Sequence, residues 1–540
     1  MHNSVAGDII KALLGSDCGI NVEYSYCEGQ KKGRHMGKIA TRLNITVLLV
    51  IIQIAIIINL SLVARSAFPF MAYIGMGISV LVFLFIIKSD KASAYKISWI
   101  ILLLAFPVAA GAIYLLAGNK RPTKKVAAQM HEHALIAKLL DDDGNLPFIS
   151  KIQCGRMFSL FQYIRNSSSY HAYKDTQVRY YTRGELMFED MLSELEKAKK
   201  FIFIEYFIIK ESYMWDRLLD VMYRKADEGV DVRLIVDDLG SHKLFSRSYV
   251  RALRAKGIKV LRFNPLVPYL QLFMNHRDHR KITVVDGHTA FNGGMNISDE
   301  YINKKRIFGI WKDTGVRLQG DAVWSFTLMF IEMWDSFSKA DERINDHLSY
   351  KHTPNVAIDA DGLVLPYGDT PLDKEALGEN IYVDMLNQAQ QYVYIYTPYL
   401  IISEKMIQTL QLTARRGVDV RLVTPGIADK KVVHRLSRSY YNFLLEAGVR
   451  IYEYTPGFMH AKSFISDDEV AIVGTINLDY RSLYLHFECA TLLFRSSAIQ
   501  EIKNDFIHTL DESWEIKKVS RRRISNELFD SILHLFAPLM

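Results

Sequence analysis

The chain has 540 residues, 49% of them hydrophobic and 23% charged, which excludes a disordered or low-complexity protein and sets a globular body of several units. A net charge of +7 suits anionic partners, lipid or nucleic acid, without choosing between them. The four cysteines, Cys18, Cys27, Cys154 and Cys489, have neither metal-ligand spacing nor disulfide density and read as free thiols.

In chain order, residues 1–38 form a polar leader, and Met36 offers an alternative start. Residues 39–125 form a membrane region with three apolar stretches, Leu43–Ala64, Ala67–Ile87 and Ile97–Ala117. Each is about 20 residues, the length that spans a bilayer core as a helix. Two or three of them are expected to cross, making the protein multi-pass in the cell membrane. Basic residues flank both ends (Lys31, Lys32, Arg34; Lys120, Arg121, Lys124), so charge bias alone does not orient it. The catalytic body is expected at the cytoplasmic face.

Beyond Lys125 the chain repeats itself. Gly229-Val-Asp-Val-Arg-Leu-Ile235 returns 188 residues later as Gly417-Val-Asp-Val-Arg-Leu-Val423. Phe201–Glu205 and Tyr392–Tyr396 correspond upstream, as do Ala255–Val260 and Glu446–Ile451 downstream. Short β-branched and aromatic runs alternating with helical patterns predict α/β units. Two similar halves, 126–345 and 346–515, are expected to form one pseudo-two-fold body. A basic amphipathic helix over 516–540 then suits either an anionic membrane surface or the protein's own catalytic body.

The repeat carries a chemical motif. His279, Lys281, Asp286 and Asn296 recur at identical spacing as His460, Lys462, Asp467 and Asn477. Histidine and lysine two apart share a strand face and point into one pocket. Lysine and asparagine can hold the non-bridging oxygens of a phosphodiester while one histidine attacks phosphorus and the other moves the proton. The motif aspartates lie off that face and are expected to fix a turn. A lysine beside each histidine disfavours a metal, and no cofactor is called for.

On these two motifs, with Gly293-Gly-Met-Asn-Ile-Ser-Asp-Glu300 and Gly474-Thr-Ile-Asn-Leu-Asp-Tyr-Arg-Ser482, the chain resembles the phospholipase D superfamily over roughly residues 150–515. With the apolar stretches added, it is most similar to the bacterial cardiolipin synthases. That resemblance implies transfer of a phosphatidyl group between two phosphatidylglycerol molecules through a phosphohistidine, releasing glycerol, on an anionic phospholipid membrane and without nucleic acid. It makes His279 the nucleophile and His460 the acid/base. It also implies an orienting carboxylate downstream of each histidine, Asp313 after His279 and Glu488 after His460. Glu205 and Tyr399 are candidate headgroup contacts. Alternatives are a hydrolytic phospholipase D, a membrane-bound nuclease and a non-catalytic scaffold. Between Pro265 and His279 the first half carries extra apolar residues, Leu266–Asn275, expected to form a core helix or an acyl-chain wall.

Overall fold

The computed structural model describes most of residues 154–518, with parts of 48–132 and 530–537; residues 1–47, 60–68, 118–125, 133–153, 267–274, 352–359 and 519–529 lie outside the described residues. The polar leader, most of the first apolar stretch, most of the insertion before His279 and the arginines 521–523 therefore lie outside them.

The first half contributes strands β1 (Thr176–Tyr181), β2 (Phe201–Tyr206), β3 (Asp231–Asp237), β4 (Lys259–Phe263), β5 (Arg277–Asp278), β6 (Lys281–Val285), β7 (Thr289–Gly293), β8 (Ile310–Lys312) and β9 (Gly315–Gly320). The second contributes β10 (Leu363–Asp369), β11 (Tyr392–Tyr396), β12 (Leu400–Ile401), β13 (Asp419–Pro425), β14 (Arg450–Tyr454), β15 (Gly457–Met459), β16 (Ser463–Ser466), β17 (Val470–Gly474), β18 (Leu478–Asp479), β19 (His486–Phe494) and β20 (Ser513–Ile516). The strand orders match: β1-β9-β7-β6-β2-β3-β4 in one sheet, β10-β19-β17-β16-β11-β13-β14 in the other, where β20 extends the edge. Parallel and antiparallel pairings match as well, with β2 parallel to β3 and antiparallel to β6, and β11 parallel to β13 and antiparallel to β16. The repeated Val-Asp-Val-Arg-Leu segments are β3 and β13, each buried between parallel neighbours, which is why they read as nearly continuous apolar runs.

The sheets pack into one body. One core cluster joins Phe203, Val284 and Leu318 of the first half to Val473, Leu493 and Phe506 of the second. Two short ladders cross the boundary: β8 runs parallel to β15, and β5 runs parallel to β19.

Upstream, helix Pro69–Lys88 lies against Ser93–Ala105 and Pro107–Ala117. The stretch expected as one span from Ile97 to Ala117 is broken at Phe106, because Pro107 has no N–H and its ring clashes with the preceding turn. The contact is tight through small residues. A Cβ on Gly75 would lie 2.8 Å from Val108, and one on Gly111 would lie 2.9 Å from Ser79 Oγ, whose hydroxyl donates to Pro107 O. Outward side chains are apolar and exposed, among them Phe70, Leu81, Leu84, Phe85 and Leu104. No helix among the described residues is long and apolar enough to cross a membrane; in Pro69–Lys88 the side chains of Met71 and Ala72 fall outside them.

Of the C-terminal segment, Asp530–Ala537 is largely described. Asp530 pairs with Arg435 at 2.6 Å, His534 Nε2 meets Ser439 Oγ at 2.8 Å, and Leu535 O accepts from Ser98 Oγ at 2.7 Å. This segment touches both the second half and the upstream helices.

Candidate active site

The two crossing ladders build the site. In the β5/β19 register, Arg277 faces His486 and Asp278 faces Phe487, so the next residues, His279 and Glu488, meet. His279 N donates to Phe487 O. His279 Nδ1 lies 2.9 Å from both oxygens of Glu488. In the β8/β15 register, Lys312 faces Met459, and Asp313 and His460 follow. His460 Nδ1 lies 2.6 Å from Asp313 Oδ2. Each histidine thus takes its carboxylate from the other half. The expected pairing within each half is corrected: strand register across the boundary, not chain proximity, decides the partner.

Both carboxylates are fully buried and well held. Glu488 also accepts from Thr475 Oγ1 and Ser482 Oγ, and Asp313 from Thr314 N. Asp313 fits because residue 294 is glycine; a Cβ there would meet Asp313 Oδ1 at 2.1 Å. A carboxylate only accepts, so each pair places a proton on Nδ1 and presents the Nε2 lone pair to the pocket. Burial, followed by the nearby Lys281 and Lys462, holds both imidazoles well below the ordinary histidine range and favours their neutral forms until an anion arrives.

Lys281 and Lys462 stand beside their histidines, each Nζ donating to the carbonyl of its own His279 or His460; Lys462 Nζ is also 3.2 Å from His460 Nε2. Burial lowers Lys281 to about 8 and Lys462 to about 7. An arriving phosphodiester anion favours the ammonium forms of both.

The motif aspartates are not at this site. Asp286 and Asp467 sit just past the far ends of β6 and β16, roughly 23 Å of extended chain from the histidines. Asp286 accepts from the backbone N–H groups of Lys199, Lys200 and Phe201, each at 2.8 Å. Asp467 does the same with Gln390, Gln391 and Tyr392 and adds Arg156 at 2.6 Å. They tie down the entries to β2 and β11, not the turns that follow them.

One candidate substrate contact is also corrected. Glu205 is fully buried on the β2 face beside Asp278, 4.0 Å from Arg280, and burial raises its carboxyl well above the usual range; it does not reach the pocket. Asn296 donates from Nδ2 to Tyr301 OH at 2.7 Å and accepts at Oδ1 from Ile208 N at 3.1 Å. Asn477 is buried with Oδ1 unpartnered. Tyr399 lies at the His460 wall, its hydroxyl 2.6 Å from Asp429 and Lys430 Nζ 5.3 Å from its ring.

The sequence alone did not single out the aromatic walls. Trp311, Tyr301 and Phe458 pack within 5.2–5.8 Å of the His460 ring, and Phe207 and His486 within 5.1–5.5 Å of His279. The legible signal is the repeat itself. His486 stands two residues before Glu488 as Trp311 stands two before Asp313, so the walls differ where the motifs match. His279, His486 and Glu488 lie close enough to hold an ion, though Lys281 on the same wall opposes a cation.

Comparison with known proteins places the chain in a family. The family model "Cardiolipin synthase, PLD-like domain" matches residues 191–312 and 382–510, and "Phospholipase_D-nuclease N-terminal" matches 77–119. A cardiolipin synthase of Geobacillus sp. is 33% identical over 86% of this chain and 92% of its own. Cardiolipin synthase 2 of Bacillus cereus is 34% identical over 84% and 88%. An uncharacterized protein of Streptococcus mutans is 43% identical over 85% and 99%. In fold, the crystal structure of phosphatidylserine synthase from Haemophilus influenzae covers 67% of this chain and 93% of its own, with a TM-score of 0.51 at 14% identity. The chain belongs to the cardiolipin synthase family of phospholipase D-like enzymes.

Proposed function

We propose that this chain is a phosphatidyltransferase that joins two phosphatidylglycerol molecules into cardiolipin and releases glycerol. The observation that carries the reading is the facing pair of crossed histidine–carboxylate couples with a lysine beside each. His279 Nε2 attacks phosphorus and forms the phosphohistidine, while His460, which takes up a proton on Nε2 as the phosphodiester anion binds, gives that proton to the leaving glycerol oxygen. A second phosphatidylglycerol then loses its hydroxyl proton to His460 and attacks, restoring His279. Lys281, Lys462 and Asn477 take the charge on the phosphoryl oxygens. The same carboxylates serve both steps: Glu488 holds His279 in the attacking tautomer, and Asp313 stabilises His460 when it is protonated.

The lipid substrate is supported by the family and by the upstream helices, whose exposed apolar faces and small-residue contact suit a bilayer. We place those helices in the cell membrane, with the catalytic body at the cytoplasmic face. Tyr399 and Lys430, on the wall beside His460, are positioned for a headgroup. The test is labelled phosphatidylglycerol in vesicles. Cardiolipin and glycerol in equal amounts support the reading; phosphatidate and glycerol without cardiolipin would replace it with hydrolysis.

A further inference from the structure

Beside the His460 wall, two loops from different halves meet. Ile427 Cδ1 lies 3.2 Å from the position a Cβ would take on Gly309, and Ile427 N donates to Gly457 O. One loop carries Lys304-Lys305-Arg306-Ile307, all exposed; the other leads into Lys430-Lys431-Val432, also exposed. Three branched aliphatic side chains stand in solvent there: Ile307 at 52%, Ile427 at 41% and Val432 at 48% exposure. None of the five cations forms an ion pair with a carboxylate among the described residues. The nearby acid, Asp429, is engaged by Tyr399. The loops connect inward to the site through Phe308, whose ring is 6.3 Å from Phe458, itself 5.8 Å from His460.

We propose that this rim is a docking surface for an anionic phospholipid bilayer, so that the mouth of the site is pressed onto the membrane holding its substrate. Two features of the structure select the bilayer as occupant. First, the composition is basic side chains around protruding aliphatics, which suits headgroup charge outside and acyl chains beneath; a nucleic-acid groove would show stacking aromatics in place of isoleucine and valine. Second, the rim is one short helix away from the upstream apolar helices. Helix Lys431–Ser439 is about 13 Å long. It begins at the rim, and its later residues Arg435 and Ser439 hold Asp530 and His534, while the neighbouring Leu535 binds Ser98 of helix Ser93–Ala105. A membrane that receives those helices therefore lies within reach of the rim. The proposal deepens the lipid reading above without depending on which lipid product forms.

The test uses the full chain in nanodiscs, with Cys18 and Cys27 changed to serine and an environment-sensitive fluorophore on Ile307→Cys. Phosphatidylglycerol discs should shift its emission to the blue, and chain-brominated lipid should quench it; phosphatidylcholine discs should give a smaller shift. The same response is expected in a His279→Ala background, which separates docking from transfer. Near an anionic surface each basic side chain contributes about fivefold to partitioning. Lys305→Glu/Lys431→Glu and, separately, Ile307→Ser/Val432→Ser should each lower turnover of vesicular phosphatidylglycerol at least tenfold relative to the same lipid in detergent micelles. An unchanged emission in phosphatidylglycerol discs, equal losses on vesicles and micelles, or a shift produced by a single-stranded oligonucleotide and not by lipid would each overturn the proposal.

Discussion

The crossed couples make a prediction that a pairing within each half would reverse. Replace Glu488 by Gln. The carboxylate is fully buried and accepts from His279 Nδ1, Thr475 Oγ1 and Ser482 Oγ. The amide turns one of those acceptors into a donor, so His279 loses the partner that keeps its proton on Nδ1 and its lone pair on Nε2. In a Ser-His-Asp triad the equivalent change costs about 10⁴-fold, and the same order is expected here, about 5 kcal/mol at roughly 1.4 kcal/mol per decade. The step affected distinguishes the couples. With a nitrophenyl phosphodiester, whose leaving group needs no proton, rapid quench should show that Glu488→Gln fails to form labelled phosphohistidine. Asp313→Asn should form it and then stall, because His460 can no longer take the acceptor's proton efficiently. Glu488→Gln should therefore behave as His279→Ala does, and Asp313→Asn as His460→Ala does. If instead Asp313→Asn tracks His279→Ala, the register argument is refuted.

Two further outcomes follow from the charges. Lys281 and Lys462, lowered by burial to about 8 and about 7, lose their ammonium charge as pH rises through those values. The basic limb of kcat/KM should fall between about pH 7 and 8, and the limb of kcat should lie higher because bound phosphodiester favours the ammonium. Folding responds with the opposite sign: between pH 7 and the ordinary lysine value of 10.5 the unfolded chain binds more protons, so these residues add stability as pH rises. Asp467 behaves as scaffold. Burial alone would raise its carboxyl, but three backbone N–H groups and Arg156 outweigh that and lower it. Asp467→Asn should cost about 2–4 kcal/mol by chemical denaturation while leaving the rate per folded molecule nearly unchanged. The wild-type contribution should vanish as pH falls below the carboxylate range.

Much of the site was legible because duplication prints the chemistry twice. One histidine-lysine pair is a common accident; two at equal spacing to aspartate and asparagine mark a shared pocket, and the matched sheets show the repeat in three dimensions. The family resemblance pointed to Asp313 and Glu488 as histidine partners, and each does meet a histidine, though not the one in its own half. Their crossing was not legible, since β5 and β8 are two and three residues long and their partners lie far along the chain. Glu205 misled for a related reason. A lone acid in Phe-Ile-Phe-Ile-Glu looks exposed at a strand end, whereas Arg280 and Asp278 from elsewhere bury it. The motif aspartates were rightly set apart from the chemistry by strand periodicity, although the backbone groups they hold precede β2 and β11 in the chain.

The exchange of carboxylates between halves has a consequence for descent. A chain half this long, with one histidine and one carboxylate, could orient its histidine only by borrowing the acid of a second copy. Such an ancestor would have been active solely as a symmetric dimer, with activity falling on dilution. Joining two such copies end to end would make that encounter permanent and let the two sides differ, as they do at Trp311 and His486.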